Sequence, residues 1–175
     1  MTEPSIKDKD GISASITMTY IVHHVYAQGG TLGSTLDNLY AKFGYFASNN
    51  SYFVSPSPAT TAAIFDRIRA PSYPVRCGSY SIKSVRDVTR GFDSEHGVST
   101  LPVDASSNFI AFAFENGVTI CLRASGTEPK IKYYAELKGD FTRRDQVEAQ
   151  LQLVVDAFVD ALLEPYRNQL VPRTG

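Results

Sequence analysis

The sequence predicts an α+β fold, and three observations carry that prediction. Phe109 to Phe114 and Val118 to Leu122 are short apolar runs on either side of Glu115-Asn116-Gly117, and Asn-Gly between two such runs is a strong hairpin signal. Lys130 to Leu137 reads as a further strand. Val147, Leu151, Val154, Val155, Phe158 and Leu162 then recur at helical spacing as one apolar stripe, with Pro165 as the stop. Strands gathered ahead of a long helix, rather than alternating with helices one by one, define the class.

The elements follow in chain order. Ala14, Ile16, Met18, Tyr20 and Val22 alternate with polar residues, a local strand signal, and Gly29-Gly30 ends a helix or makes a turn. Leu32, Leu36, Leu39, Tyr40 and Phe43 have helical spacing, with Gly44 where a left-handed residue closes a helix. Tyr45 to Val54 is aromatic and β-prone, a strand interrupted by Ser48-Asn49-Asn50-Ser51. Ser55-Pro56-Ser57-Pro58 reads either as a linker or as a helix start, with Ser57 as N-cap and Pro58 at the first helical position. The helix from Pro58 to Arg69 places Ile64, Phe65 and Ile68 on one face. Ala70 to Pro74 is a second break, and Ser79 to Val88 alternates like a strand. Gly91 to Gly97, holding His96, reads as a mobile loop. Thr142 caps the last helix, with Asp145 three residues on as its capping-box partner. The expected organisation is 1–56 as one domain and 57–175 as a second.

Composition excludes several functions. The chain has 175 residues, 17 Lys+Arg against 18 Asp+Glu, and a net charge of −1, so no basic tail for nucleic acid or a membrane surface is present. No apolar run reaches the roughly 18 to 20 residues that span a bilayer. The run from Met1 to Gly11 has no hydrophobic core and is not a signal peptide. Cys77 and Cys121 are too few for a disulfide scaffold, and Cys121 reads as a small core residue. A reducing cytoplasmic location is expected.

One segment carries chemistry: Leu122-Arg123-Ala124-Ser125-Gly126-Thr127-Glu128-Pro129-Lys130-Ile131-Lys132-Tyr133. It joins two predicted strands through a tight loop. Gly126 permits a positive φ and a close approach of backbone N–H groups to a ligand. Successive N–H groups with the Ser125 and Thr127 hydroxyls make an anion nest. Arg123 adds a planar fork for two phosphate oxygens. Lys130 and Lys132 share one parity and so one face. From spacing alone, an ordinary strand–turn–strand and a phosphate cradle both stand.

Arg123-Ala124-Ser125-Gly126-Thr127-Glu128-Pro129, followed by a basic residue and Tyr133-Tyr134-Ala135-Glu136, resembles the phosphate-binding loop of the α-D-phosphohexomutase superfamily. The run through Lys130-Ile131-Lys132 is most similar to the phosphoglucomutase-2 and phosphopentomutase branch. Lys9 to Ala14, Phe43-Gly44-Tyr45, Val85-Arg86-Asp87 and Gly91-Phe92-Asp93 match further landmarks in order, so the resemblance runs from about Asp8 to about Leu163.

The resemblance implies a C-terminal domain with an antiparallel sheet packed with helices, like the TATA-box-binding protein, preceded by part of a third α/β domain. It implies a helix over Ser13 to Gln28, against the local alternation. It implies a sugar phosphate partner, a hexose or pentose 1-phosphate, held by Arg123, Ser125, Gly126, Thr127 and Lys132. Glu128 and Pro129 would shape the loop. The superfamily moves a phosphoryl group between two hydroxyls of one sugar through an enzyme phosphoserine, assisted by Mg2+. Neither the nucleophile motif Thr-Ala-Ser-His-Asn-Pro, nor the metal loop Asp-x-Asp-x-Asp, nor the Gly-Glu-Glu sugar loop occurs in this sequence. The expectation is therefore a fragment that grips the phosphate, binds no Mg2+ itself and is inactive alone. The alternative is a non-catalytic phosphosugar-binding or mutase-interacting module.

Other residues have plainer readings. Asp8-Lys9-Asp10-Gly11 lacks the spacing of a calcium or mutase metal loop and reads as a helix start; the resemblance implies that Lys9 could reach the sugar phosphate in an intact active site. His23 and His24 are adjacent, diverge on any element and have no third ligand nearby.

Overall fold

The computed structural model describes residues 10–173. Asp8 and Lys9 lie outside them. The chain divides into two compact units, one through Tyr45 and one from Phe46 onward.

The first unit holds helices α1 (Gly11–Ala27) and α2 (Leu32–Phe43). Asp10 is the α1 N-cap, and its carboxylate accepts the N–H groups of Ile12 and Ser13 at 3.0 and 3.1 Å. The helix implied by the resemblance is present, and the strand-like alternation has a local cause. The Ser15, Thr17 and Thr19 hydroxyls donate to the carbonyls of Gly11, Ser13 and Ser15, four residues back. These polar residues serve the helix itself rather than marking one face of a sheet. Gly29 takes φ 75° after α1. Thr31 and Ser34 form a reciprocal capping box at the start of α2. Gly44 closes α2 at φ 95°. No residue of α1 or α2 is buried.

β1 (Tyr45–Val54) enters the second unit at Phe46 and is followed by α3 (Pro58–Arg69). Short β2 (Arg76–Cys77) leads to β3 (Tyr80–Asp87), β4 (Phe92–Asp93) and β5 (Gly97–Val98). The hairpin is β6 (Phe109–Phe114) and β7 (Thr119–Ala124), followed by β8 (Lys130–Gly139). A 3-10 turn (Phe141–Arg143), α4 (Arg144–Phe158), a π turn (Val159–Leu163) and β9 (Val171–Pro172) complete it. The sheet order is β5-β4-β3-β6-β7-β8-β1-β9, with β2 paired to β3. The ladders among β3, β6, β7 and β8 are antiparallel.

Period-two alternation buries one sheet face. Ile110, Phe112, Ile120, Leu122, Ile131 and Tyr133 form the core with Ile64, Phe65 and Ile68 of α3 and the apolar stripe of α4. Phe112 meets Phe158 edge to face at 5.3 Å. Ser84, Ala111, Cys121, Arg123, Lys132 and Tyr134 have the opposite parity and lie outside that core. Cys121 is therefore partly exposed, and the fully buried thiol is Cys77.

Several expected details change. β1 is continuous, because its polar residues are cross-links. The Tyr133 hydroxyl donates to Asn49 Oδ1, Asn49 Nδ2 donates to Gln152 Oε1, and the Ala135 N–H donates to Asn50 Oδ1. Ser55 to Pro58 is a helix start rather than a linker. Ser55 is 2% exposed, its hydroxyl donates to the Ser57 carbonyl, and Ser57 Oγ accepts the Thr60 N–H. The compact units part after Tyr45. Gly91 to Gly97 is folded into β4 and the start of β5, and Asp93 of β4 is buried. Asp140, not Thr142, caps the turn into α4, accepting both the N–H and the hydroxyl of Thr142 at 2.8 Å.

Candidate functional site

The loop between β7 and β8 is held at three points. The Ala124 N–H donates to the Asn108 carbonyl at 3.0 Å, and the Ser125 N–H donates to the Lys130 carbonyl at 2.8 Å. The Ser55 N–H donates to the Pro129 carbonyl at 2.7 Å, tying the loop to the end of β1. Ser125 therefore spends its N–H on closing the turn. Among the described residues, no protein acceptor takes the N–H groups of Gly126, Thr127 or Glu128. Three successive uncommitted donors remain for a ligand.

A cleft of about 600 Å³ opens beside the loop. The whole stretch from Arg123 to Lys130 lines it, with Ser57, Pro58 and Thr61 at the start of α3 and Ser106 to Asn108 ahead of β6. The N-terminus of α3 adds positive potential to the same space. Arg123, Ser125, Gly126 and Thr127 thus come together in one cavity. Lys132 pairs with Arg123 across the ladder but does not line the cleft, whereas Lys130 does.

The charges are arranged to admit an anion. Among the described residues, Arg123 makes no ion pair. Glu128, the one carboxylate of the cleft lining, is neutralised by Lys130 Nζ at 2.9 Å. That hydrogen bond lowers the Glu128 pKa and raises that of Lys130. Lys130 also sits 4.7 Å from the Tyr52 ring centroid, which fixes its stem.

Gly126 departs from expectation. It does not adopt a positive φ, and a Cβ placed on it would meet nothing within 4 Å. Neither torsion nor packing demands glycine there. Its small size keeps the rim of the donor loop open.

Behind the cleft lies a buried network that sequence reasoning did not find. Arg69, at the end of α3, donates from Nε to Asp87 Oδ2 at 2.6 Å and from a terminal nitrogen to Asn108 Oδ1 at 2.9 Å. The Tyr73 hydroxyl donates to Asp87 Oδ2 at 2.9 Å. Burial pushes the Asp87 carboxyl up, but the bonds from Arg69 and Tyr73 outweigh it and hold the group below its usual range. The Tyr73 phenol is raised to about 12, first by burial and then by Asp87. In the sequence Asp87 stood only within the landmark Val85-Arg86-Asp87, because its partners Arg69 and Tyr73 come from other segments.

The Mg2+ of the resemblance can be set against the described residues alone. Among the described residues, Asp93, Glu95 and His96 are the one group placing three possible ligand atoms within 4.8 Å of one another. Asp93 already accepts from Arg86 at 2.7 Å and from the N–H groups of Glu95 and His96, and none of the three lines the cleft.

An antiparallel sheet backed by helices, with a donor-rich loop at its end, is the architecture the resemblance implies for the C-terminal domain of a phosphohexomutase. Residues 82–154 match the family "Phosphoglucomutase/phosphomannomutase, C-terminal domain". Over 97% of its length the chain is 40% identical to human glucose 1,6-bisphosphate synthase and 33% identical to human phosphopentomutase. It is 38% identical, over 77% of its length, to a probable phosphoribomutase of Schizosaccharomyces pombe. The chain belongs to the phosphohexomutase superfamily. It spans 24 to 29% of the length of these curated relatives.

Proposed function

We propose that the cleft beside the β7–β8 loop holds the phosphate of a hexose or pentose 1-phosphate. In this reading the chain is the phosphate-gripping part of a phosphoglucomutase- or phosphopentomutase-like intramolecular phosphotransferase. The observation that carries it is that, among the described residues, the N–H groups of Gly126, Thr127 and Glu128 and the Arg123 guanidinium have no protein partner and line one cleft. Ser125 and Thr127 add hydroxyl donors. Lys132, beside Arg123 on the ladder, strengthens the positive field. The names of the relatives, a bisphosphate synthase and two pentose-type mutases, support a sugar phosphate as the ligand class.

A remote phosphate grip is useful in such chemistry because its binding energy can hold the reacting hydroxyl in line with the phosphoryl donor. The donor serine and its metal would come from residues outside this sequence, which carries neither motif. The segment through Pro56 is read as part of a third α/β domain and the remainder as the C-terminal domain. The chain is proposed to bind the ligand in the cytoplasm and to be inactive alone.

Titration of the chain with glucose 1-phosphate and ribose 1-phosphate, followed calorimetrically, tests the reading. Weak binding that falls with salt is expected, and Arg123→Ala should lower it by about tenfold or more, as for a charge-assisted contact. Equal affinity in the wild type and in Arg123→Ala removes the loop from the site.

A further inference from the structure

We infer that Asn108 is a second-side donor to the bound phosphate, aimed by the buried Arg69–Asp87 pair; this rests on the proposal that the cleft takes a phosphate. Asn108 lines the cleft just ahead of β6, next to the β6–β7 pair Phe109–Arg123. It has the parity of Ile110 and so lies on the helix side of the sheet, whereas Arg123 lies on the other. The two residues flank one cavity from opposite sides.

The amide orientation follows from chemistry. A guanidinium can only donate, so the Asn108 atom 2.9 Å from Arg69 is the oxygen. Arg69 cannot swing away. Its side chain is 10% exposed, and Nε and a second nitrogen grip Asp87 at 2.6 and 3.4 Å. Asp87 is itself fully buried and accepts a third hydrogen bond from Tyr73. With its oxygen fixed inward, Asn108 is left with an NH2 group as its outward end. Among the described residues no acceptor takes that NH2, and no buried side-chain nitrogen or oxygen is left without a partner. The NH2 is therefore open to solvent, and the cleft is the solvent-filled space that Asn108 lines.

Such an arrangement has little structural purpose on the outward side. Fixing the sheet needs only the Asn108 backbone carbonyl, which accepts the Ala124 N–H. A neutral amide with two donors, locked in one flip state beside uncommitted loop N–H groups, suits a phosphate oxygen. Arg69 and Asp87 are positioning residues: they touch no ligand and act through Asn108.

Inorganic phosphate is the simplest probe, with glucose 1-phosphate in parallel. Asn108→Ala should weaken both by about five- to tenfold, the worth of one or two neutral hydrogen bonds. Asn108→Asp keeps an oxygen for Arg69 but removes the donors. It should retain the melting temperature and lose phosphate binding more severely than Asn108→Ala. A role confined to supporting Arg69 predicts the opposite order, with Asn108→Asp binding at least as well as Asn108→Ala. That order, or unchanged affinity in Asn108→Ala, overturns the inference. If Arg123→Ala weakens binding and Asn108→Ala does not, only this inference fails. If Asn108→Ala weakens binding and Arg123→Ala does not, the loop assignment fails and the Asn108 contact stands.

Discussion

The two compact units use similar residues to different ends. α1 and α2 carry Ile16, Met18, Ile21, Leu36 and Leu39, yet all of these are 44% or more exposed. The unit from Phe46 onward buries Phe65, Phe112, Phe114 and Phe158 at 2% exposure or less. The difference is topology, not composition. A pair of helices satisfies its backbone locally, through caps and hydroxyls that bond within the same turn. A sheet must recruit distant segments, and their side chains close a core around it. Helical order in the first unit is therefore no measure of its stability.

Mutations can break this contrast at its strongest point. Phe158→Ala removes the ring that meets Phe112, and should cost about 3–5 kcal/mol in denaturant unfolding. Asp87→Ala leaves the Arg69 guanidinium buried without its partner, and a loss of about 3–5 kcal/mol is again expected. A loss below about 1 kcal/mol from both would mean that the second unit has no tightly specified core.

Acid sharpens the contrast further. Asp87 and Asp93 both have carboxyl pKa values lowered by folding, that of Asp93 to about 2, chiefly through Arg86. Each contributes stability that is complete above the unfolded value near pH 4 and is lost as pH falls through the folded value. The melting temperature of the second unit should be flat from about pH 7 to 5 and fall between about pH 4 and 2. A maximum near pH 3 would contradict the assignment.

Smaller effects are expected at the exposed positions. Ile16→Ala in α1 should change global stability by no more than about 0.5 kcal/mol, read from the same unfolding curve. Gly126→Ala should be equally mild, because a Cβ there meets nothing, but should weaken sugar phosphate binding by crowding the loop rim. A large stability loss at Gly126 would show that the apo fold, rather than the ligand, requires glycine.

Much of the fold was legible because its signals are local. Asn116-Gly117 marked the β6–β7 turn, where Gly117 takes φ 87°. Ser57 and Pro58 marked the start of α3, and the stripe from Val147 to Leu162 marked α4. The loop residues Arg123, Ser125, Gly126 and Thr127 were legible as one motif. What sequence could not offer was chemistry assembled across the chain. Asn49 and Asn50 look like loop residues until Tyr133, Ala135 and Gln152 are brought beside them. Arg69, Asp87 and Asn108 are three unremarkable polar residues until the sheet and α3 put them in contact. Ser13 to Thr19 misled for the converse reason: a two-residue period can arise from hydroxyls bonding back along a helix.

The hydrogen bond from Ser55 to Pro129 has a practical corollary. A shortened protein begun at Pro58 would contain the whole of the Arg123–Lys130 loop, yet the Pro129 carbonyl would have lost its tether. On the proposed reading, the loop would then have to be ordered anew by each arriving anion, at an entropic cost that appears as weaker affinity and faster release. If the cleft holds a phosphate as proposed, the smallest piece that keeps the loop tethered begins no later than Ser55, which lines no part of the cleft.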